Sequence, residues 1–86
     1  MDFEDTHVNK DHRFSLGKEL ESGKYYLCIP VSNQMVDYEE YYEIQKDTYT
    51  QYPSNLNTIL EIIGKCKRHE NDIALIIKPG SDRGVS

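Results

Sequence analysis

Apolar and polar positions alternate with a period of two in two stretches of the first half of the chain, on either side of a continuous apolar run, and recur with the period of a helix in the second half. His12 to Leu16 (H-R-F-S-L) sets His12, Phe14 and Leu16 against Arg13, Ser15 and Gly17, as a half-buried first strand would. Gly17 to Gly23, which contains E-S-G, reads as a turn or longer hairpin loop. Lys24 to Val31 (K-Y-Y-L-C-I-P-V) is aromatic and β-branched and predicts a second strand. Pro30 has no N–H to give to a ladder, which places the end of that strand at a sheet edge or a bulge. After a turn at Ser32 to Gln34, Val36 to Ile44 (V-D-Y-E-E-Y-Y-E-I) predicts a third strand. Successive side chains of a strand point to opposite faces. Val36, Tyr38, Glu40, Tyr42 and Ile44 therefore share one face, and Asp37, Glu39, Tyr41 and Glu43 the other.

From Lys46 the period changes. Asp47 to Tyr52 predicts one helical turn before Pro53, whose ring suits a first turn but not a helix interior. Leu56, Ile59, Leu60, Ile63 and Cys66 then form one apolar helical stripe, with Ser54 or Asn55 as N-cap and Asn71 as the stop. Lys65, Lys67, Arg68 and His69 crowd the last turn, where cations suit the negative end of the helix dipole. Ile73 to Ile77 (I-A-L-I-I) is apolar on both faces and predicts a strand in the middle of the sheet. Residues 1 to about 11 are polar and aperiodic, a loosely ordered arm, and Pro79 to Ser86 reads as a C-terminal turn and tail. The expected fold is α+β, ordered β-β-β-α-β: an antiparallel four-stranded sheet with one main helix packed on one face. The other face is left for solvent-tolerant side chains or a partner.

Composition narrows what such a fold could do. Eighty-six residues make a single domain with one modest core. The net charge of −5 is unevenly placed: residues 1 to 45 carry ten acids against four bases, and residues 46 to 86 five acids against six bases. A surplus of acid argues against nucleic acid as the ligand, because phosphate binding runs on Lys and Arg. A basic protein fits better. The acidic start M-D-F-E-D-T-H lacks the features of a signal peptide, and no run approaches the roughly 20 apolar residues of a membrane span. A cytoplasmic protein is expected.

Catalytic and metal-binding patterns are weak. His7, His12 and His69 lie far apart, and none pairs with Cys28 or Cys66 at the spacing of a metal motif. Core packing accounts better than nucleophilic catalysis for Cys28, inside an apolar strand, and for Cys66, on the helix stripe; both are expected as buried free thiols. No cofactor is implied. Asp37, Glu39, Glu40 and Glu43 could serve general acid–base chemistry if burial shifted one of them, but such runs are usually solvated faces. Glu40 shares the face of Val36, Tyr38 and Tyr42; if buried it needs a cation or a donor, with Arg13, Lys24 or Arg68 as possible partners. K-P-G-S-D-R-G (Lys78 to Gly84) follows a strand without opening a helix, unlike a phosphate loop. Of the seven tyrosines, most are explained by cross-strand packing, and Tyr41, among the acids, is assigned to the surface.

Phe14 to Asn33 (F-S-L-G-K-E-L-E-S-G-K-Y-Y-L-C-I-P-V-S-N), Val36 to Ile44 and Lys78 to Gly84 together resemble a family of short bacterial proteins associated with immunity to polymorphic toxins, including contact-dependent growth inhibition toxins. Cys28 and Gln34 depart from the more polar and more turn-forming residues expected at those positions. The resemblance implies a cytoplasmic protein that binds a cognate toxin domain, often a nuclease; a non-enzymatic monomer or homodimer is expected. Immunity proteins share a role rather than a fold, so the resemblance transfers no residue roles. The residues themselves nominate Asp37, Glu39, Tyr41 and Glu43 as the partner-binding set, with Glu40 if it is exposed. Competing readings are a homo-oligomeric protein-binding domain, which would pair through a sheet face or edge, and a small enzyme that uses Glu40.

Overall fold

The computed structural model describes residues 2–32 and 37–77. Four antiparallel strands, β1 (Phe3–Asn9), β2 (Phe14–Glu19), β3 (Tyr25–Ser32) and β4 (Asp37–Ile44), form a meander in the order β1-β2-β3-β4. A short helix α1 (Lys46–Gln51) and the main helix α2 (Leu56–Lys67) follow, then a 3-10 turn at Asp72–Ala74. The α+β sheet-and-helix architecture is the expected one, but the fourth strand comes from the N-terminus and not from Ile73 to Ile77.

The arm expected at residues 1 to 11 is thus largely strand β1. It shows no alternation because it is an edge strand whose residues 4 to 8 are all exposed, so no buried face imprints a period on its sequence. Backbone pairing to β2 holds it, with Phe3 opposite Glu19 and Asn9 opposite Phe14 and a register shift between Asp5 and His7. Side chains add ties on the helix side: Thr6 Oγ1 shares a hydrogen bond with the Tyr49 hydroxyl (2.6 Å), and Asn9 Nδ2 donates to the Tyr52 hydroxyl (3.1 Å). At the other end of the molecule, Leu75 forms one antiparallel bridge to Tyr42, and the Ile76 N–H donates to the Tyr41 carbonyl (2.9 Å). The apolar run therefore borders β4 instead of entering the sheet, with Leu75 buried and Ile73 91% exposed.

The core lies between the sheet and α2. Phe14, Leu16, Leu27, Ile29, Val31, Tyr42 and Ile44 meet Ile59, Ile63 and Cys66, the stripe read from the helical period. The helix ends at Lys67, four residues before Asn71, with His69 in the left-handed region (φ 59°), its N–H on the Cys66 carbonyl and the Glu70 N–H on the Lys65 carbonyl. Those two bonds form a Schellman cap built on histidine. At its other end Asn55 is the N-cap residue, and its Nδ2 donates back to the Thr48 carbonyl (2.9 Å), tying α2 to α1.

Three residues placed in the expected turn at Gly17 to Gly23, Gly17, Lys18 and Glu19, are strand residues instead. Gly17 lies in β2 under the Tyr26 ring, and a Cβ there would fall 2.6 Å from Tyr26 Cζ and overlap the Glu4 carbonyl oxygen. Glu19 ends the strand with its carboxylate accepting the backbone N–H groups of Asp2 (2.9 Å), Glu21 (2.9 Å) and Ser22 (2.8 Å). Hydrogen bonds from Ser22 and from the N–H groups of Asp2 and Glu21 push the Glu19 carboxyl down to about 2.

Two predictions follow from these contacts. Gly17→Ala should destabilise the fold by about 2 kcal/mol or more through overpacking, read as a lowered midpoint in chemical denaturation. Because the folded-state pKa of Glu19 lies below its ordinary value, its stabilisation is complete above about pH 4.5 and drains away as pH falls towards about 2. Glu19→Gln should therefore be less stable than the parent at neutral pH. Its stability should also be flatter across that acid window, as urea unfolding at a series of pH values would show.

Candidate functional site

Strand parity divides β4 as its sequence implies. Tyr38, Glu40, Tyr42 and Ile44 point to the helix side, while Asp37, Glu39 and Glu43 are exposed on the far face, turned away from α2, with Tyr41 half-buried beside them. Glu40 is only 6% exposed and accepts a hydrogen bond from the Tyr42 hydroxyl (2.8 Å). The condition for counting it in a contact surface, exposure, is not met, and the tyrosine hydroxyl is a hydrogen-bond donor of the kind a buried carboxylate needs. The β3–β4 register fixes the neighbours of the others: Tyr41 lies opposite Cys28, Glu39 opposite Pro30, Glu43 opposite Tyr26 and Asp37 opposite Ser32.

Strand β1 contributes to this face two residues that were not nominated, Phe3 and Asp5. The Phe3 ring stacks on Tyr41 (centroids 3.9 Å, planes 18° apart), and Tyr26 meets both edge-on at 5.3 and 5.2 Å. Tyr41 is thus a half-buried member of an aromatic ridge and not a free surface side chain. The Tyr26 hydroxyl donates to Asp5, and the Cys28 thiol donates to Glu39. One signal of this arrangement was available: an isolated glycine inside a strand alternation marks a close approach of another group, here the Tyr26 ring over Gly17.

The electrostatics of the ridge are those of an acidic surface. Burial first, and then the Glu39 carboxylate, drives the Cys28 thiol far above its ordinary range; the same order of causes, with Cys28, Glu39 and Asp5, pushes Tyr41 up to about 12. Burial and the hydrogen bond to Asp5 likewise raise Tyr26. Cys28 is therefore a neutral donor, with too little thiolate near neutral pH to act as a nucleophile. Both cysteines are buried free thiols. Among the described residues, Asp5, Asp37 and Glu39 have no cation within ion-pair distance, whereas Glu43 has Lys24 at 3.8 Å across exposed side chains. Such a pair contributes little.

Next to the ridge the face falls away. Ser15, Cys28 and Pro30 are small, and they line a shallow groove of about 340 Å³ together with Val8, Lys10, Arg13 and Glu39. A second groove of about 380 Å³, lined by Pro30, Asp37, Tyr38, Glu39 and Tyr41, adjoins it. Pro30 explains the notch. The Tyr41 carbonyl points outward to Ile76, so Cys28 and Pro30 direct their backbone nitrogens towards β2, whose ladder ends at Ser15 opposite Cys28. Pro30 occupies the strand position where no N–H is called for, the edge expected of it.

Among the described residues no His, Cys, Asp and Glu group is arranged to hold a metal ion, and no helix is long and apolar enough to cross a membrane. Lys78 to Gly84 and Val36 lie outside the described residues. No protein-family profile, curated protein or solved structure matches this chain.

The hydrogen bond between Cys28 and Glu39 yields a chemical test. Glu39→Gln removes one of the causes that raise the thiol, so alkylation of Cys28 at alkaline pH should run faster than in the parent, while Cys66, buried in the helix stripe, is unchanged. Site-resolved mass spectrometry separates the two thiols; equal Cys28 rates would show that Glu39 does not control it.

Proposed function

We propose that this chain is a non-enzymatic binding protein that neutralises a basic partner, in the manner of immunity proteins that block a toxin domain, and that the partner meets the far face at Asp37, Glu39, Tyr41 and Glu43. The observation that carries the reading is how the carboxylates are held. Asp5 and Glu39 take their hydrogen bonds from neutral donors, Tyr26 and Cys28, so their negative charge is positioned without being cancelled. A cation brought to this face would offset the carboxylate charge that, after burial, adds to the raising of Tyr41 and Cys28, which is complementarity of field as well as of contact.

Tyr41 adds an anchor that is already ordered. Stacked on Phe3 and edge-on to Tyr26, its ring has little conformational freedom left to lose when a partner covers it. A nuclease toxin fits this surface because enzymes that hold phosphates carry the basic clefts that acidic side chains compete for. The encounter would take place in the cytoplasm, where a delivered toxin acts.

Co-expression with the protein encoded immediately upstream, followed by affinity capture at low and moderate salt, tests the reading. Capture of a basic domain should weaken as salt rises, and reversal of both Glu39→Lys and Glu43→Lys should weaken it by about tenfold or more. Undiminished capture by the double variant would remove the acidic strand from the interface.

A further inference from the structure

The far face is not uniformly acidic, and its two adjoining grooves run between opposite charges. We infer that this trough is a docking site for an extended segment of a protein partner that carries both an acidic and a basic side chain, the acid meeting Lys10 and Arg13 and the base meeting Glu39 and Asp37. This rests on the binding-protein reading above and deepens it, because a basic partner alone would leave the Arg13 end unmatched.

The geometry supplies the reasons. The grooves adjoin at Pro30 and Glu39, and together they reach from the β1–β2 hairpin to the start of β4. The floor of the trough is low because Ser15, Cys28 and Pro30 stand where the other half of the face carries Tyr26 and the ridge. Val8, 62% exposed, forms an apolar wall on the hairpin side, and Tyr41 bounds the opposite end. Arg13 is held at the lip by a left-handed backbone (φ 56°), in a hairpin loop that Asn9 braces by accepting the His12 N–H (3.0 Å).

Continuing the β2–β3 register, Arg13 falls level with Pro30, which faces Glu39 across β3 and β4. Two inter-strand spacings, roughly 10 Å, separate the backbones from which that cation and that carboxylate project. An extended peptide segment with oppositely charged side chains two to four residues apart spans the distance, at roughly 3.3 Å per residue. Its small or aliphatic residues would lie over Cys28 and Pro30, which offer no charge of their own at pH 7.

Blocked peptides provide the probe. Acetyl-Glu-Ala-Lys-amide and acetyl-Glu-Ala-Ala-Ala-Lys-amide, their reversed sequences, and controls with Lys in place of Glu are titrated into the full chain, with amide chemical shifts of Ile29 and Val31 as the readout. At least one mixed-charge peptide should shift these amides at millimolar concentration and bind about fivefold tighter than its all-basic control, a difference that Arg13→Glu abolishes. Equal or tighter binding of the all-basic peptides, tighter binding by the Arg13→Glu variant, or no shift with any mixed-charge peptide would overturn the proposal. The two readings fail separately. Arg13→Glu adds acid to the face, so a partner recognised by its basic charge alone would be captured more strongly by this variant, leaving the function intact and the trough refuted. Mixed-charge peptides that bind as described, with no basic protein captured, would do the reverse.

Discussion

The far face depends on a missing side chain. Because Gly17 has no Cβ, the tip of the Tyr26 ring can sit over it on β2, and from there its hydroxyl reaches Asp5 on β1. That one contact links an edge strand, which contributes nothing to the core, to the third strand of the sheet. Phe3 and Tyr41, stacked on each other, then both meet Tyr26 edge-on. With any larger residue at position 17 the ring would have to rise, and the ridge that orders Tyr41 would lose its central member. The trough exists by contrast with this ridge, beginning where the small residues Ser15, Cys28 and Pro30 take over.

A second constraint is how charge is held without being neutralised. Glu19 spends its charge on backbone N–H groups of Asp2, Glu21 and Ser22, fastening the start of β1 to the β2–β3 turn. Asp5 and Glu39, by contrast, are positioned by hydroxyl and thiol donors that bring no positive charge. Three carboxylates of similar intrinsic chemistry thus serve different ends, and their partners decide which. Backbone donors make a latch. Neutral side-chain donors make a fixed surface charge, which is what a complementary partner reads from a distance.

Much of this was legible in the chain, and the gaps have physical causes. Parity along Asp37–Ile44 assigned every described side chain of β4 to its face, because a strand with one buried face writes a period of two. The stripe of α2 was equally clear. Strand β1 was not, since an exposed edge strand is stabilised by its backbone ladder and leaves no hydrophobic signature. That omission hid Phe3 and Asp5, and with them the fact that Tyr41 is stacked. Ile73 to Ile77 misled for the opposite reason: its apolar residues look like an interior strand, but the sheet position they imply is already filled, and only Leu75 among them is buried. The interaction of Cys28 with Glu39 could not be read from periodicity at all, because it needs the cross-strand register.

The edges of the sheet show why a face is the better place for a partner than an edge. Along β4 the Tyr41 carbonyl is already taken by Ile76, and Leu75 bridges to Tyr42, so a new strand would have to displace this border. The β1 edge breaks register between Asp5 and His7 and carries Glu4, Asp5 and His7 on exposed positions, features that discourage strand addition between copies of a chain. What remains on the sheet is the far face, with an ordered ring, carboxylates held at known positions and a notch left where β2 ends. A partner that used it would need no rearrangement of the backbone, and its affinity would come from charge placed in advance rather than from surface ordered on contact.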